Sequence, residues 1–374
     1  MRIGLNLLHI MPEIGGGWNY ISRLVSALGV KENGNYYVCF VTSKSAALVP
    51  DKPNFECVIV KINPLSRFQR IFYENTILQI SAMVHRLELM HWFAQTQPFI
   101  NTVPGVVSFY DLLVYDKPLS FDKIKRFYMR TMMSNAVKNA SLLLPMSKST
   151  AMALRSILNV DEKRMSVIPA IVSPAFQPIN KSESNDFRLK YNLPNLFWLY
   201  VANFYPHKNH LRLLQAYNEL KLDGIDPWPL VLRGDSRESL NDVMAAIKHM
   251  SLEKDIIFLQ RIDEVKMPCL YSAAGALVFP SLYEGGGMPV VEAMACGCPV
   301  IASDIPTTRE FGGKSVSLFN PLDIESITAA MRVFQEDTHK RLQARQSGFN
   351  TARDYSPESV MRKLVDAYNS VKIR

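Results

Sequence analysis

The stretch that decides the fold is Phe279-Pro-Ser-Leu-Tyr-Glu-Gly-Gly-Gly-Met-Pro-Val-Val-Glu-Ala-Met-Ala-Cys-Gly-Cys-Pro-Val-Ile-Ala-Ser303. It completes one apolar run, passes through three consecutive glycines into a helical pattern, stops at Gly297 and begins a second apolar run. This order predicts strand, glycine loop, helix and strand, which is the repeating unit of parallel sheets. The helix start after the glycines offers free backbone N–H groups to an anion.

Two glutamates accompany this glycine loop. Glu284 lies just before it, and Glu292 follows eight residues later, inside the predicted helix. Eight residues of helix rise about 12 Å, so the two carboxylates contact separate parts of one extended ligand. A role as helix cap would account for Glu284 but would leave Glu292 unexplained. Carboxylates for hydroxyls and N–H groups for an anion together match the chemistry of a nucleotide sugar.

Apolar, β-branched runs and helical patterns alternate along the whole chain of 374 residues. The predicted strands are 2–8, 37–42, 57–61, 106–109, 141–145, 166–169, 197–203, 230–233, 256–259, 276–280, 300–303 and 315–319. The predicted helices are 18–29, 67–86, 121–138, 148–158 and 356–374, with others beginning near Asn209, Ser239, Met267, Met288 and Asp323. This alternation predicts an α/β protein with two doubly wound, Rossmann-like domains. Their boundary is predicted in the polar, proline-bearing stretch 174–194.

The charge of the chain is unevenly distributed. Residues 1–170 contain 19 Lys and Arg and 11 Asp and Glu, a net charge of +8, whereas residues 171–374 contain 23 of each. Two segments rich in aromatic residues contain Arg67, Arg70, Lys123, Lys125, Arg126 and Arg130. Such segments suit an anionic membrane surface or an anionic acceptor, and the alternative is a solvated face with core aromatics behind it. Nucleic acid is disfavoured, because neither a dense basic run nor a binding motif is present.

The composition is that of a globular protein, with 48% hydrophobic and 20% charged residues. No apolar run reaches the roughly 18 residues that a membrane-spanning helix requires, so none is expected. The five cysteines are odd in number, and Cys296 and Cys298 lack the second pair that a zinc site would need. We therefore expect reduced core thiols and a cytoplasmic protein.

Polar residues that follow the predicted strands are candidate ligand contacts, because doubly wound sheets bind ligands beyond the carboxyl ends of their strands. Gly16 and Gly17 follow the first strand and let a phosphate approach the backbone, although glycines also simply make turns. Their spacing is not the Gly-x-Gly-x-x-Gly pattern of dinucleotide-binding domains. Tyr110 and Asp111 follow a later strand, where Asp111 either faces the ligand or caps the next segment.

A lysine in the second half is predicted at a helix entrance. Lys208 precedes the helix that begins near Asn209, where a cation and the helix dipole oppose each other unless an anion lies between them. This position indicates a phosphate contact. Asn203 ends the strand before it, and His207 and His210 are either participants or surface residues. Arg261 follows another strand and either lines a nucleotide pocket or is a surface charge.

These residues together resemble the retaining glycosyltransferases of family 4, which have the GT-B fold of two Rossmann-like domains facing across a cleft. The family pattern is E-G-F-G-L-P-x-x-E-A-M-A-x-G-x-P-V-I-A, and the chain matches it closely between Glu284 and Ala302. The segment Pro206-His-Lys-Asn209 resembles a second signature of the family, and the glycines at 15–17 fit an N-terminal one. The order of elements fits along nearly the whole chain.

The resemblance implies roles for the matching residues. Lys208 would neutralise the donor diphosphate, Glu284 would hold hydroxyls of the transferred sugar, and Glu292 would bind the ribose. Backbone N–H groups that would approach the diphosphate belong to Gly16, Gly17, Gly287 and Met288. Residues 1–173 with the helix 356–374 would form the acceptor-binding domain, and residues 174–355 the nucleotide-sugar-binding domain.

The chain departs from the family pattern at three places. Asn203 or Ala202 stands where a basic residue usually precedes the lysine, which leaves one positive charge fewer at the leaving group. Tyr110 and Asp111 stand where many relatives have His-Asp, so Tyr110 becomes a candidate acceptor-side hydroxyl contact and Asp111 the catalytic candidate. Gly286 replaces an aromatic residue and widens the floor of the pocket.

The expected reaction is transfer of a sugar with retention of configuration, and GDP-mannose is our guess for the donor. No Asp-x-Asp is placed to hold a metal, so we expect neither a metal nor another cofactor. The leaving phosphate would help to deprotonate the acceptor on the same face of the sugar, and the two domains would close to exclude water. The expected acceptor is a glycan or lipid-diphosphate-linked glycan at the inner face of a bacterial membrane, used for a surface polysaccharide such as the O-antigen of lipopolysaccharide.

Two alternatives share this architecture. A nucleotide-sugar epimerase would change the donor without an acceptor. A catalytically silent partner of another transferase would keep the fold without the chemistry, and the departures at Asn203 and Tyr110 are the features that favour it.

Overall fold

The chain forms two compact units. The computed structural model describes residues 1–11, 15–30, 33–63, 65–116, 122–259 and 262–372. Unit 1 comprises Met1–Ile171 and Pro357–Arg374, and unit 2 comprises Val172–Ser356. Each unit contains one six-stranded sheet whose paired strands are all parallel. The predicted α/β class with two Rossmann-like halves is therefore confirmed.

The strands of unit 1 lie in the order β3-β2-β1-β4-β5-β6, and those of unit 2 in the order β12-β11-β10-β7-β8-β9. Their bounds are Arg2–Asn6 (β1), Tyr36–Val41 (β2), Phe55–Ile59 (β3), Leu89–Trp92 (β4), Gly105–Phe109 (β5), Leu142–Pro145 (β6), Trp198–Val201 (β7), Leu230–Arg233 (β8), Ile256–Leu259 (β9), Ala276–Phe279 (β10), Val300–Ser303 (β11) and Ser317–Phe319 (β12). The inner strands are almost wholly buried, because both faces of a parallel sheet are covered.

The helices connect these strands, and the last one returns to unit 1. Their bounds are Gly15–Leu28 (α1), Arg67–Asn75 (α2), Ile77–Val84 (α3), Leu113–Asp116 (α4), Lys123–Asn139 (α5), Lys148–Leu158 (α6), Lys181–Lys190 (α7), His210–Leu222 (α8), Leu240–His249 (α9), Met267–Ala273 (α10), Met288–Ala295 (α11), Pro306–Gly312 (α12), Ile324–Glu336 (α13), Thr338–Ala352 (α14) and Pro357–Asn369 (α15).

Strand β4 is absent from the sequence-based prediction. Its sequence Leu-Met-His-Trp contains a polar residue, His91, which interrupts the apolar run. In the structure His91 is fully buried and both ring nitrogens have partners, the Tyr368 hydroxyl at 2.7 Å and Ser108 Oγ at 2.8 Å. Burial lowers the pKa of His91 to about 3, so the ring is neutral inside the core.

Two predicted elements of unit 1 differ from the structure. Residues 166–169 form no strand, although Met165 bridges Leu143 and the backbone N–H groups of Ser166 and Ile168 donate to the β6 carbonyls of Leu143 and Pro145 at 3.0 Å each. The long helix predicted at 67–86 is broken at Thr76, where φ is −128° and ψ is −85°, into α2 and α3. The Thr76 hydroxyl donates to the Phe72 carbonyl at 2.6 Å, so the side chain takes up a helix carbonyl at the break.

The polar stretch predicted as the boundary contains a helix. The Asn180 side chain accepts from Glu183 N at 2.9 Å and starts α7, and Phe187 on this helix packs into the core of unit 2. The chain passes from unit 1 to unit 2 before this helix, between Ile171 and Val172.

The cysteines are free thiols, buried except for the exposed Cys57. Within the described ranges of the chain, no helix is both long and apolar enough to cross a bilayer.

Candidate active site

Lys208 and Glu284 meet in unit 2. Lys208 ends a short 3₁₀ turn, Pro206–Lys208, directly before α8, and Glu284 lies in the loop after β10. The Lys208 Nζ is 2.6 Å from Glu284 Oε1, and the two side chains are only 18% and 10% exposed. Glu284 thus supplies the negative charge that a lysine at a helix entrance requires. The pair brings a cation and a carboxylate together at the carboxyl ends of β7 and β10.

The turn that carries Lys208 is fixed from both sides. The Tyr200 hydroxyl donates to the Lys208 carbonyl at 2.6 Å. Asn209 has a left-handed φ of 62°, and its buried amide donates to the carbonyls of Pro280 at 3.0 Å and Pro321 at 2.8 Å. These contacts attach the turn to β7 and to the segments that follow β10 and β12. The lysine therefore projects from a rigid support.

The glycine loop requires glycine at its last position. Gly287 caps α11 with φ 51° and ψ 24°, and a Cβ there would lie 3.4 Å from the Phe311 ring. No side chain caps this helix end, and Pro289 removes one N–H from its first turn. Gly286 and Met288 flank the cap, so the predicted backbone donors stand at the helix N-terminus, three residues after Glu284. An anion would find aligned N–H groups there.

The two glutamates of the pattern are each held by a neighbour. The Thr307 hydroxyl donates to the Glu284 carbonyl at 2.7 Å. Glu292 is buried in α11, and its Oε2 accepts from the Tyr271 hydroxyl at 3.0 Å. Burial, together with the nearby Glu292 carboxylate, raises the pKa of Tyr271 well above its usual value, so the phenol stays a donor.

Two further candidates of unit 2, Asn203 and His210, contact other residues of that unit. Asn203 Oδ1 accepts from Asp235 N at 2.8 Å and so joins the loops after β7 and β8. His210 is buried and packs against the rings of Tyr200 and Phe204, and burial lowers its pKa to about 3. Arg261 lies outside the described residues.

In unit 1, the side chains of Tyr110 and Asp111 form hydrogen bonds with backbone groups of the same unit. The Tyr110 hydroxyl donates to the Phe93 carbonyl, and its ring packs edge-on against Tyr20. Burial raises the pKa of Tyr110 well above its usual value. Asp111 Oδ1 accepts from Leu113 N at 2.9 Å at the start of α4, which is the capping role that the sequence left open.

A cavity of about 320 Å³ in unit 1 brings two predicted residues together. Gly17, in the first turn of α1, and Tyr110 both line it, beside His9, Trp18 and Arg70. Gly16 lies in the same first turn. A Cβ on Gly17 would meet nothing within 4 Å, so the helix start is open at this point. Within the part of the chain that the structure describes, no group of three or more His, Cys, Asp and Glu side chains could hold a metal ion.

Sequence reasoning missed the residues that position these groups. They are Gln95, Tyr200, Tyr271 and Thr307. The sequence indicated Asn209 only as the last residue of the segment Pro206-His-Lys-Asn209. Gln95 has a φ of 60°, and its side-chain oxygen accepts from Tyr110 N at 3.1 Å. Tyrosines in apolar runs and threonines near loops carry no local signal of such contacts, because their partners are distant in sequence.

Comparisons with known proteins identify the kind of protein that the chain is similar to. Residues 181–351 match the family model described as Glycosyl transferases group 1. The chain is 28% identical over 266 residues to O-antigen chain mannosyltransferase B of Escherichia coli, covering 71% of this chain and 70% of that protein. It is 29% identical over 338 residues to O-antigen chain mannosyltransferase RfbU of Salmonella typhimurium, covering 89% and 90% of the two.

The fold also matches solved structures. Sucrose-phosphate synthase from Thermosynechococcus elongatus superposes with a TM-score of 0.77 at 20% identity, covering 99% of this chain and 98% of that chain. The fold is of the GT-B type, and the sequence matches are to glycosyltransferases. Residues 181–351 thus match the group 1 glycosyl transferases, which confirms the resemblance found in the sequence.

Proposed function

We propose that the protein transfers a sugar from a nucleoside-diphosphate sugar, with retention of configuration and without a metal ion, to a lipid-diphosphate-linked glycan in the synthesis of O-antigen polysaccharide. The observation that carries the proposal is the 2.6 Å pair between Lys208 and Glu284. Glu284 lies three residues before Gly287, the N-cap of α11, where no side chain bonds the free N–H groups. A donor needs a cation and amide groups for its diphosphate and a carboxylate for its sugar, and this arrangement offers all three.

Donor binding exchanges one partner of Lys208 for another. Without ligand, the Glu284 carboxylate neutralises the Lys208 ammonium. A β-phosphate that lies between Lys208 and the N-terminus of α11 takes over this charge, which frees Glu284 to accept from sugar hydroxyls. The carboxylate of Glu292, oriented by Tyr271, accepts from the ribose.

The chemical step consists of one bond broken, one bond formed and one proton transferred. The bond from the anomeric carbon to the β-phosphate oxygen breaks, the acceptor oxygen bonds to the same carbon, and the acceptor proton passes to the departing phosphate. Negative charge on that phosphate is stabilised by Lys208 and the N–H groups at Gly287 and Met288. Retention follows when the acceptor attacks from the face that the leaving group vacates. Metal independence is part of the proposal, because these groups supply the positive charge themselves.

The choice of donor and acceptor follows the relatives. The two mannosyltransferases compared above are named for the O-antigen chain, and they cover most of this chain. We therefore assign mannose as the sugar, GDP-mannose as the donor, and a lipid-linked glycan as the acceptor. A lipid-linked acceptor also suits the basic, aromatic character of unit 1.

A transfer assay tests the proposal. The purified protein is incubated with GDP-mannose and a lipid-linked acceptor extract, with and without EDTA, and the product is treated with α-mannosidase. We expect acceptor-dependent transfer that EDTA leaves unchanged, and a product that the α-mannosidase cleaves. We expect kcat to fall at least about 100-fold in Lys208→Ala and Glu284→Gln.

The same assay contains the outcomes against the proposal. Conversion of the donor without an acceptor would indicate an epimerase. Undiminished transfer by both variants would show that the pair has no catalytic part. No transfer from any of the UDP, GDP or ADP sugars that a thermal-shift screen finds to bind would favour a silent partner.

A further inference from the structure

Arg233 ends strand β8 beside the segment that leads from β7 to Lys208. It pairs in parallel register with Val201, the last residue of β7, and its carbonyl accepts from Ala202 N at 2.9 Å. A Cβ on the next residue, Gly234, would lie 1.9 Å from the Ala202 carbonyl oxygen, so the two backbones are in direct contact. Because the carboxyl ends of parallel strands form one edge of the sheet, Arg233 and Lys208 stand at the same edge.

The loops after β7 and β8 are also joined beyond this point. Asn203 Oδ1 accepts from Asp235 N at 2.8 Å, and Phe204 N donates to the Asp235 carbonyl at 3.2 Å. Arg233 lies two residues before Asp235 and therefore next to a fixed part of the backbone. A side chain that begins from such a support is held in place for a ligand.

The contacts of the folded chain leave the Arg233 guanidinium incompletely paired. Its Nη2 lies 3.5 Å from the Ile262 carbonyl oxygen, which is longer than an ordinary N–H···O hydrogen bond. Its Nε is buried, and within the described ranges of the chain this atom has no hydrogen-bond partner and the guanidinium no carboxylate in an ion pair. A buried cationic N–H without a partner costs free energy, so this side chain fits a partner that the chain itself does not supply.

The guanidinium also lies near the tyrosine that orients Glu292. Burial and the Glu292 carboxylate raise the pKa of Tyr271, and the positive charge of Arg233 acts on the same phenol in the opposite direction. Electrostatic effects decrease with distance, so the cation is close to this phenol. Arg233 thus shares the edge of the sheet with Lys208 and the surroundings of Tyr271 with Glu292.

A nucleoside diphosphate has one anionic group that the proposed binding mode has not yet paired. In that mode Lys208 holds the β-phosphate and Glu292 accepts from the ribose. The α-phosphate joins these two groups covalently, so it lies between them and has a negative charge of its own. A guanidinium presents its N–H donors in a planar fork that matches two phosphate oxygens.

We propose that Arg233 binds the α-phosphate of the donor, which is the phosphate next to the ribose. The inference deepens the proposed function and rests on it for the positions of the ribose and the β-phosphate. Arg233 then supplies from β8 the positive charge that the sequence lacks at Asn203. A nucleoside monophosphate retains the α-phosphate but has no β-phosphate, so it separates the role of Arg233 from that of Lys208.

Titration of the full chain with three matched ligands tests the proposal. The ligands are guanosine, GMP and GDP, with uridine, UMP and UDP as a second set, and the dissociation constants come from calorimetry or, for weak ligands, from NMR titration. We expect Arg233→Gln to raise Kd for the monophosphate and the diphosphate at least about tenfold and to leave Kd for the nucleoside unchanged. Lys208→Ala should raise Kd for the diphosphate alone.

Two further variants separate a contact with the ligand from a structural role. The control is Arg188→Gln on α7, where the guanidinium donates to Asn195 Oδ1 at 2.6 Å, and its dissociation constants should equal those of the wild type. Arg233→Lys keeps the charge and should lose less affinity for the monophosphate than Arg233→Gln does. Because the guanidinium is incompletely paired without a ligand, Arg233→Gln should melt no lower than the wild type, whereas loss of a purely structural arginine would lower the melting temperature.

Two results would overturn the proposal. One is an unchanged Kd for the monophosphate in Arg233→Gln. The other is an equal loss of affinity for the nucleoside, which would place the guanidinium at the base or the ribose. In either case, weaker diphosphate binding by Lys208→Ala would leave the proposed function standing. A wild-type protein that binds neither diphosphate would contradict the proposed function and this inference with it.

Discussion

The Tyr271 hydroxyl donates a hydrogen bond of 3.0 Å to the Glu292 carboxylate, across 21 residues of sequence. The first residue lies on α10 and the second on α11, so two helices fix the orientation of one carboxylate. Because Glu292 is the fifth residue of α11, more than one turn after its start, it cannot be a cap. A buried carboxylate that is held in this way is a prepared acceptor for hydroxyl groups.

Removing this hydrogen bond should weaken donor binding. In Tyr271→Phe the carboxylate loses a donor worth about 1.5–3 kcal/mol, and its orientation becomes less defined. We expect KM for the donor to rise roughly tenfold with kcat nearly unchanged, measured by steady-state kinetics. Tyr217→Phe is the control, because Tyr217 is another buried tyrosine of unit 2 and its hydroxyl donates to the carbonyls of Pro227 and Trp228. Equal effects of the two variants would contradict the assignment.

The glycine cap of α11 should be essential for both stability and donor binding. An alanine at position 287 would have to adopt a left-handed φ of 51°, which costs about 1–2 kcal/mol. We expect Gly287→Ala to lose this much in urea unfolding and also to bind the nucleoside diphosphate more weakly. Gly224 has a φ of 77° with open space around its Cβ position, so Gly224→Ala should lose stability without losing affinity. Undiminished affinity in Gly287→Ala would count against a diphosphate at this helix start.

The amide of Asn209 should act on catalysis through Lys208. The variant Asn209→Gly keeps the left-handed backbone but leaves the carbonyls of Pro280 and Pro321 without this donor. We expect a loss of about 1–3 kcal/mol in the free energy of unfolding and a fall in kcat of at least roughly tenfold. Asn195→Gly, at an exposed position outside the site, is the control. Unaltered kcat would show that the turn does not need this attachment.

The buried His91 should make the protein sensitive to acid. Its pKa is about 3 in the folded protein and near 6.5 in the unfolded chain, so the unfolded state binds more protons between these values. The free energy of unfolding therefore falls as pH decreases below 6.5. At pH 5 the loss due to His91 is about 2 kcal/mol relative to pH 7.5.

Urea unfolding at the two pH values measures this effect. In His91→Gln the decrease should be smaller than in the wild type by about 2 kcal/mol. The free energy of unfolding of the variant should still decrease at low pH, because burial also lowers the pKa of His9 and of His210 to about 3. An identical decrease in both proteins would mean that His91 is not neutral in the folded state.

The sequence predicts a strand or helix correctly where the element is specified by its own local pattern of apolar residues. The boundaries of β8, β9, β11 and α6 follow from apolar runs and helical spacing alone. The pattern around Glu284 and Glu292 likewise identified the class of enzyme. Strand β4 was missed because a hydrogen-bond partner that allows His91 to be buried, Tyr368, is 277 residues away. The break at Thr76 was missed because a threonine occurs both within helices and at their ends.

Contacts between residues distant in sequence also could not be predicted for the site. The pattern indicated that Lys208 needs a negative partner, and the structure identifies Glu284 as that partner, 76 residues away. Asp111 shows the opposite case, because its capping bond to Leu113 is local and was among the alternatives that the sequence allowed. Hydrogen bonds between residues close in sequence can be predicted from the sequence. Contacts between residues that follow different strands depend on the order of the strands in the sheet.

The central claim is that Lys208 holds the donor diphosphate. Isothermal titration calorimetry with the nucleoside diphosphate selected by the thermal-shift screen tests it in wild type, Lys208→Ala and Lys221→Ala. Lys221 is the matched control, because it lies on α8 and pairs with Asp255 away from the site. We predict that Lys208→Ala raises Kd by about 10–100-fold and that Lys221→Ala leaves it unchanged. Equal affinity of wild type and Lys208→Ala would contradict the account.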